Sequence, residues 1–147
     1  MARPGRRALL AGLAGAGLGS RPANAADGDG FDFIALGDMP YGPDLLAGPL
    51  YRRLIHRING LGLRFAIHVG DFKDGTAACS DADYQLQWQH FQRFAGALVY
   101  TPGDNDWLDC HRRGDDPLER LQALRQRFFA GATSLGQRPM ALERQPD

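Results

Sequence analysis

The sequence predicts an α/β domain in which three parallel strands alternate with three helices. Short apolar segments at residues 31–36, 64–69 and 97–101 are the predicted strands. Near-continuous apolar runs of this length are typical of strands that are buried on both faces of a parallel sheet. Because a helical pattern follows each of them, the order predicts right-handed crossovers and a single βαβαβα parallel sheet.

The first helical pattern places Leu50, Leu54, Ile58 and Leu61 on one face, at a spacing of three or four residues. Pro49 suits the first turn of a helix, because its missing N–H is not needed there. The sequence therefore predicts a helix that begins near Pro49 and ends at the glycines that follow Ile58.

The second helix is expected to begin at Ser80 or Asp81 and to stop before Gly96. The third begins with Asp116 as its N-cap and Pro117 at its first position. Their apolar faces are formed by Tyr84, Trp88 and Phe91 and by Leu121, Leu124 and Phe128. No element is predicted after about residue 131, and the pattern suggests a chain that is cut short.

Residues 1–25 have the pattern of a secretory signal peptide. A basic start is followed by an apolar run of about eleven residues and by a small-residue cleavage signal at residues 23–25. The pair Arg6-Arg7 resembles a twin-arginine export signal, with an ordinary Sec signal as the alternative. The apolar run is too short to span a hydrocarbon core of about 30 Å. Residues 26–147 are therefore predicted to form an exported domain, periplasmic or secreted, without a stable membrane anchor.

The charge composition argues against a nucleic-acid-binding protein. The chain has 17 Lys and Arg residues and 17 Asp and Glu residues, without a basic tract. Several of the arginines lie in the predicted signal peptide, so the mature domain is expected to be acidic. An acidic domain that binds a phosphoester needs a positive charge in its site, and a metal ion would supply it.

The chain has two cysteines, Cys79 and Cys110. In an exported protein, such a pair is more often a disulfide than a metal site. Cys79 lies eight residues after Asp71, and Cys110 lies six after Asp104. Both cysteines therefore fall in loops at one edge of the sheet if the preceding strands are neighbours. We predict a disulfide, with two free thiols as the alternative.

Each predicted strand is followed by a glycine and an aspartate, namely Asp38, Asp71 and Asp104, and successive aspartates are 33 residues apart. The carboxyl ends of parallel strands lie at one edge of a sheet, so the three carboxylates are expected to converge there. A glycine before each of them allows a tight turn and close approach to a ligand. Any one of these aspartates alone is better explained as a cap of the following turn, whereas three in register favour a shared metal site.

Converging carboxylates repel each other unless a cation lies between them. Oxygen ligands favour Mg²⁺ or Mn²⁺, and nitrogen ligands would extend the choice to Fe or Zn. Two divalent ions about 3.5–4 Å apart are able to hold a phosphoryl group and to activate a water molecule. The sequence therefore predicts a site for two divalent metal ions (Mn, Fe, Mg or Zn).

The residues around these aspartates resemble motifs of the calcineurin-like metallophosphoesterases. That family has D-x-H, then G-D-x-x-D, then G-N-H-D or G-N-H-E, then a lone His and finally G-H-x-H. The segments GDMPYG, HVGDFKDG and TPGDNDW are similar to the first three. The middle motif matches fully as Gly70, Asp71 and Asp74, and the outer two match in part. The resemblance covers about residues 31–110.

The resemblance implies a role for each matched position. Asp38 corresponds to a ligand of the first metal, and Asp71 to the carboxylate that bridges both metals. Asp104 stands in place of the asparagine that binds the second metal. Asn105 stands where the family has the histidine that protonates the leaving group, and Asp106 matches the acid that orients that histidine. These correspondences make Asn105 and Asp106 the candidate catalytic residues.

The chain also departs from the family pattern. Pro40 replaces the histidine of the first motif, and Asn105 cannot exchange a proton as histidine does. His111 is the last histidine in the sequence, so the two later motifs are missing. The family fold is a two-sheet αββα sandwich with outer helices, and this chain resembles its first half.

Other polar residues near the motifs have two readings each. Lys73 and Asn105 are candidates for contact with the phosphoryl group of a substrate, although a solvated loop lysine explains Lys73 equally well. His68 is expected to be a satisfied buried histidine. Tyr41 is expected to pack, and His111 is a weaker candidate for a ligand or a proton donor.

The leading functional hypothesis is hydrolysis of a phosphoester substrate by a metal-bound hydroxide. The first alternative is a non-catalytic exported module that binds a metal or a phosphate at a degenerate site. The second is an inactive truncated product, which would expose one face of its sheet.

Overall fold

The computed structural model describes residues 30–143. The predicted signal peptide lies outside these residues. Three strands, three α-helices and one 3₁₀ helix follow each other along the chain. They are β1 (Phe33–Leu36), α1 (Asp44–Asn59), β2 (Phe65–His68), α2 (Asp81–Phe91), β3 (Ala97–Tyr100), the 3₁₀ helix (Leu108–Arg113) and α3 (Pro117–Phe128). None of the helices in the described part of the chain is long and apolar enough to cross a membrane.

The strands form one parallel sheet in the order β1-β2-β3, which confirms the predicted βαβαβα arrangement. At the carboxyl end of the sheet, Leu36 pairs with His68, which pairs with Tyr100. The paired strand residues are therefore 32 residues apart, one fewer than the spacing of the three aspartates. Each successive aspartate lies one residue further beyond the end of its strand than the one before it.

The core lies between the helices and one face of the sheet. Leu36, Ala66, Leu98 and Tyr100 point into it from the strands. Five aromatic rings pack there with ring centroids 5.1–6.4 Å apart, and their edge-on and tilted contacts add to the gain from burial. They belong to Phe72, Tyr84, Phe91, Tyr100 and Phe128.

The opposite face of the sheet is more open than the sequence predicts. The side chain of Phe33 is 51% exposed, and it packs against Phe31 and Phe65 rather than against a helix. The prediction of strands buried on both faces is therefore wrong for the described residues. The apolar runs are continuous because this outer face carries aromatic and aliphatic side chains too.

Helix α1 differs most from its prediction. It begins at Asp44, five residues before the predicted start, so Pro49 lies inside the helix. Its buried face is formed by Gly48, Tyr51, Ile55 and Ile58, whereas Leu50 is 64% exposed. The leucine pattern misled the prediction because leucine also occurs on the exposed side of this helix.

The start signals of the other two helices are confirmed. Ser80 caps α2, and the Ser80 hydroxyl and Asp83 form a reciprocal capping box with the backbone. The Asp116 side chain accepts a hydrogen bond from the N–H of Leu118 at the start of α3, with Pro117 as the first helical residue. The segment after residue 131 adds short antiparallel bridges, and one of them joins Leu98 of β3 to Leu135.

Candidate metal centre at the carboxyl edge of the sheet

Asp38 and Asp71 adopt the same unusual backbone conformation. Both have a φ angle of 55°, in the left-handed region that side chains larger than glycine rarely occupy. Their loops are joined by a hydrogen bond of 3.1 Å from the N–H of Asp38 to the carbonyl of Gly70. Residues held in this conformation cost about 1–3 kcal/mol each and cluster at functional sites. The two aspartates are thus matched in position and in strain.

The glycines before the aspartates allow neighbouring loops to touch. A β-carbon at Gly70 would lie 2.1 Å from the backbone nitrogen of Gly103, and one at Gly103 would lie 2.0 Å from Asp71 Oδ1. Real β-carbons do not approach other atoms so closely. The sequence analysis expected these glycines to admit a ligand, whereas in the structure they admit the adjacent strand end and the Asp71 carboxylate.

Two neutral side chains connect Asp38 to Asp71. The Tyr41 hydroxyl donates to Asp38 Oδ1 at 3.1 Å, and it accepts a hydrogen bond of 3.3 Å from Asn105 Nδ2. The backbone N–H of Asn105 donates to Asp71 Oδ1 at 3.2 Å. Tyr41 is therefore part of the site, which the sequence analysis missed. Its position three residues after Asp38 was the only available signal.

The aspartates at this edge influence each other electrostatically. Partial burial raises the pKa of Asp71, and the charges of Asp104, Asp38 and Asp109 raise it further, against the opposing hydrogen bond from Asn105. Burial and the hydrogen bond to Asp38 raise the pKa of Tyr41 to about 12, so Tyr41 stays protonated at neutral pH. The site therefore carries excess negative charge, which a cation would neutralise.

The donor groups fit a hard divalent cation in their chemistry. Carboxylate and amide oxygens are the ligands that Mg²⁺, Mn²⁺ and Ca²⁺ take in proteins. Within residues 30–143, however, no three His, Cys, Asp or Glu side chains are arranged to hold one ion. The one-residue offset explains this, because it carries Asp104 further from the strand ends than Asp38. Asp104 is exposed, so its side chain is able to rotate and complete a ligand set with Asp38 and Asp71.

Asp106 is placed differently from its predicted catalytic role. Its side chain is fully buried, and it accepts hydrogen bonds of 2.8–3.0 Å from the N–H groups of Asp71, Phe72 and Gly103 and from the Tyr100 hydroxyl. Burial raises the pKa of Asp106, and these hydrogen bonds oppose the shift. A carboxylate with both oxygens occupied and no solvent contact positions the loops, and it does not reach a leaving group.

Lys73 is not the solvated loop lysine that the sequence allowed. It is 7% exposed, and its ammonium group donates to the carbonyls of Asp74 and Ala77 at 3.1 and 3.3 Å. Burial lowers the pKa of this amine, and nearby acids oppose the shift. The cation is therefore committed to its own loop, and the alternative role in contacting a phosphoryl group loses its structural support.

His68 is a satisfied buried histidine, as predicted. It has no exposed surface, and Nδ1 accepts a hydrogen bond of 3.2 Å from the N–H of Gly70. Because Nδ1 is an acceptor, the proton lies on Nε2, which faces the carbonyl of Met39 at 3.1 Å. Burial lowers the pKa of His68 to about 4. His68 thus ties together the loops that follow β1 and β2.

The predicted disulfide between Cys79 and Cys110 is confirmed, and both residues are buried. The bridge joins the loop that follows Asp71 to the 3₁₀ helix that follows Asp104. Arg113 strengthens this connection by donating to the carbonyl of Thr76. The loops that carry two of the three candidate ligands are therefore fastened to each other covalently.

Comparison of the chain with protein-family models, with curated proteins and with solved structures gave no match. The relation to the metallophosphoesterases consequently remains a resemblance between short motifs.

Proposed function

We propose that the carboxyl edge of the sheet binds a divalent metal ion and supports hydrolysis of a phosphoester. The observation that carries the proposal is the pair Asp38 and Asp71, held in the same strained conformation at adjacent strand ends and coupled through Tyr41 and Asn105. Protein segments seldom retain this conformation at two aspartates without a functional reason. Asp104 is the third proposed ligand.

The residues of the chain have separate tasks in this proposal. Asp38, Asp71 and Asp104 hold the metal, which when bound would polarise the phosphoryl group and supply an activated water. Asn105 orients Tyr41 and the Asp71 carboxylate. Asp106 fixes the backbone of the Asp71 and Gly103 loops. Two divalent ions, as the motif resemblance implies, would need the rotation of Asp104.

The experiment compares Asp71→Asn with Asp32→Asn in the domain that follows the predicted signal peptide. Asp32 is an exposed aspartate at the opposite end of β1, so it is a matched control. Calorimetry with Mn²⁺ and turnover of an aryl phosphate are measured for both variants. We expect Asp71→Asn to lose metal binding and turnover, with Asp32→Asn unchanged. Equal turnover in Asp71→Asn and the unaltered protein would refute the proposal.

A second candidate function is a non-catalytic module that binds a metal or a phosphate. It is favoured by the burial of Asp106, which together with Asn105 leaves no evident proton donor beside the aspartates in the described residues. Under this alternative, Mn²⁺ binds and depends on Asp71, but no phosphoester is hydrolysed. Absence of metal binding would count against both candidates.

Export remains part of the proposal. The disulfide agrees with an oxidising compartment, where such bridges persist. Fusion of residues 1–25 to a reporter that is active only after export tests it, and substitution of Arg6-Arg7 by lysines distinguishes the twin-arginine route from the Sec route.

A further inference from the structure

The site described above needs a positive group that faces a substrate. The substrate of the proposed hydrolysis is an anion, and the surrounding side chains are mostly acidic. Lys73, the cation nearest in sequence, is buried and donates to two carbonyls of its own loop. A cation that contacts substrate therefore has to come from another element.

The space beside Gly75 identifies such a cation. A β-carbon at Gly75 would lie 2.5 Å from Asp109 Oδ2, 2.7 Å from Arg112 Nη1 and 2.8 Å from Asn105 Oδ1. The three polar groups thus surround one point that only a glycine leaves free. Since Asn105 also contacts Asp71 and Tyr41, the Arg112 guanidinium lies one side chain away from the proposed metal ligands.

Arg112 is anchored at one end and open at the other. Its Nη1 forms an ion pair of 3.0 Å with Asp109, whose side chain is 8% exposed, whereas the side chain of Arg112 is 51% exposed. Among the described residues, Nε and Nη2 have no protein acceptor. A guanidinium has five N–H donors in a fixed plane, so the remaining ones match the paired oxygens of a phosphoryl group.

We infer that Arg112, held by Asp109 beside Asn105, forms the phosphoryl-binding subsite of this site. The inference rests on the proposed function and names its substrate class, a phosphomonoester. A monoester dianion carries one more charge than a diester, so it gains more from a fixed guanidinium. An ion pair that only stabilises the 3₁₀ helix is the alternative, and the experiment distinguishes the two.

The test uses Arg112→Lys, Arg112→Gln and the control Arg125→Gln, an exposed arginine on α3. Lysine retains a charge for Asp109 but lacks the planar fork. We expect KM for an aryl phosphomonoester to rise at least about tenfold in both Arg112 variants, with kcat for a diester, Mn²⁺ affinity and melting temperature close to those of the control. Inhibition by inorganic phosphate should weaken by a similar factor.

An unchanged KM and phosphate inhibition constant in Arg112→Lys overturns the inference, even if Arg112→Gln fails to fold. A fall in melting temperature that Arg112→Lys restores together with KM shows a structural ion pair, and it also overturns the inference. If the unaltered protein hydrolyses no phosphoester, the proposed function fails by itself. Calorimetry with inorganic phosphate and Mn²⁺ then decides on Arg112, whose substitution should still weaken phosphate binding.

Discussion

The buried carboxylate of Asp106 holds the backbone of Asp71, whose N–H donates to Asp106 Oδ2 at 3.0 Å. The same oxygen accepts from the N–H of Gly103 and from the Tyr100 hydroxyl, so one side chain fixes the loops after β2 and β3. The conformation of the candidate metal ligand Asp71 thus depends on an acid 35 residues later in the chain.

Replacement of Asp106 should therefore affect stability and metal binding together. In Asp106→Asn, an amide NH₂ group would face at least one backbone N–H that now has an acceptor. We expect the free energy of unfolding to fall by about 1–3 kcal/mol, and Mn²⁺ affinity to fall as Asp71 loses its fixed position. Urea denaturation and calorimetry measure the two effects. The exposed control Asp32→Asn should leave both unchanged, and a stable Asp106→Asn would contradict the structural role.

Substitution of Gly70 by alanine tests the close contact between the strand ends. Gly70 has a φ angle of 95°, and its added β-carbon would overlap the backbone of Gly103. Gly62 also has a positive φ angle, of 67°, but its β-carbon would meet nothing within 4 Å. We expect a loss of about 2–4 kcal/mol in Gly70→Ala and about 1 kcal/mol in Gly62→Ala, measured by urea denaturation. Equal losses would mean that backbone strain alone matters.

The depressed pKa of His68 predicts a stability that falls on acidification. The folded protein binds the proton with a pKa of about 4, whereas an unfolded histidine binds it near 6.5. The contribution of neutral His68 is therefore present above pH 6.5 and is lost as the pH falls towards 4. It amounts to about 3 kcal/mol.

The measurement is the free energy of unfolding between pH 7 and pH 4 for the unaltered protein, His68→Gln and the exposed control His56→Gln. The slope should decrease only in His68→Gln. Some slope is expected to remain there, because burial also lowers the pKa of His90. Identical slopes in all three proteins would show that His68 is accessible to protons in the folded state.

Loss of the disulfide should destabilise the domain by restoring freedom to the unfolded chain. Cys79 and Cys110 are 31 residues apart, and closure of a loop of this size contributes about 3–4 kcal/mol. The double variant Cys79→Ser/Cys110→Ser should unfold at a correspondingly lower urea concentration. A reducing agent should destabilise the unaltered protein to a similar extent and leave the double variant unaffected. Insensitivity of both proteins would mean that the bridge does not form in solution.

Local signals in the sequence determined much of the fold. Alternating apolar and helical patterns gave the order of the elements, and Ser80, Asp116 and Pro117 marked two helix starts, because capping depends on a few adjacent residues. The position of two cysteines after neighbouring strands was sufficient to predict their bridge. The buried face of α1 was not predictable from the leucine pattern, since burial depends on what packs against a helix.

The sequence by itself placed Asp38, Asp71 and Asp104 at one edge of a parallel sheet, because chain order and strand direction fix that edge. Only the tertiary structure decided which groups meet there. The 32-residue register of the strands, set against the 33-residue spacing of the aspartates, separates Asp104 from Asp38. Contacts between distant segments bring in Tyr41 and Arg112, bury Lys73 and enclose Asp106, and no local pattern encodes them.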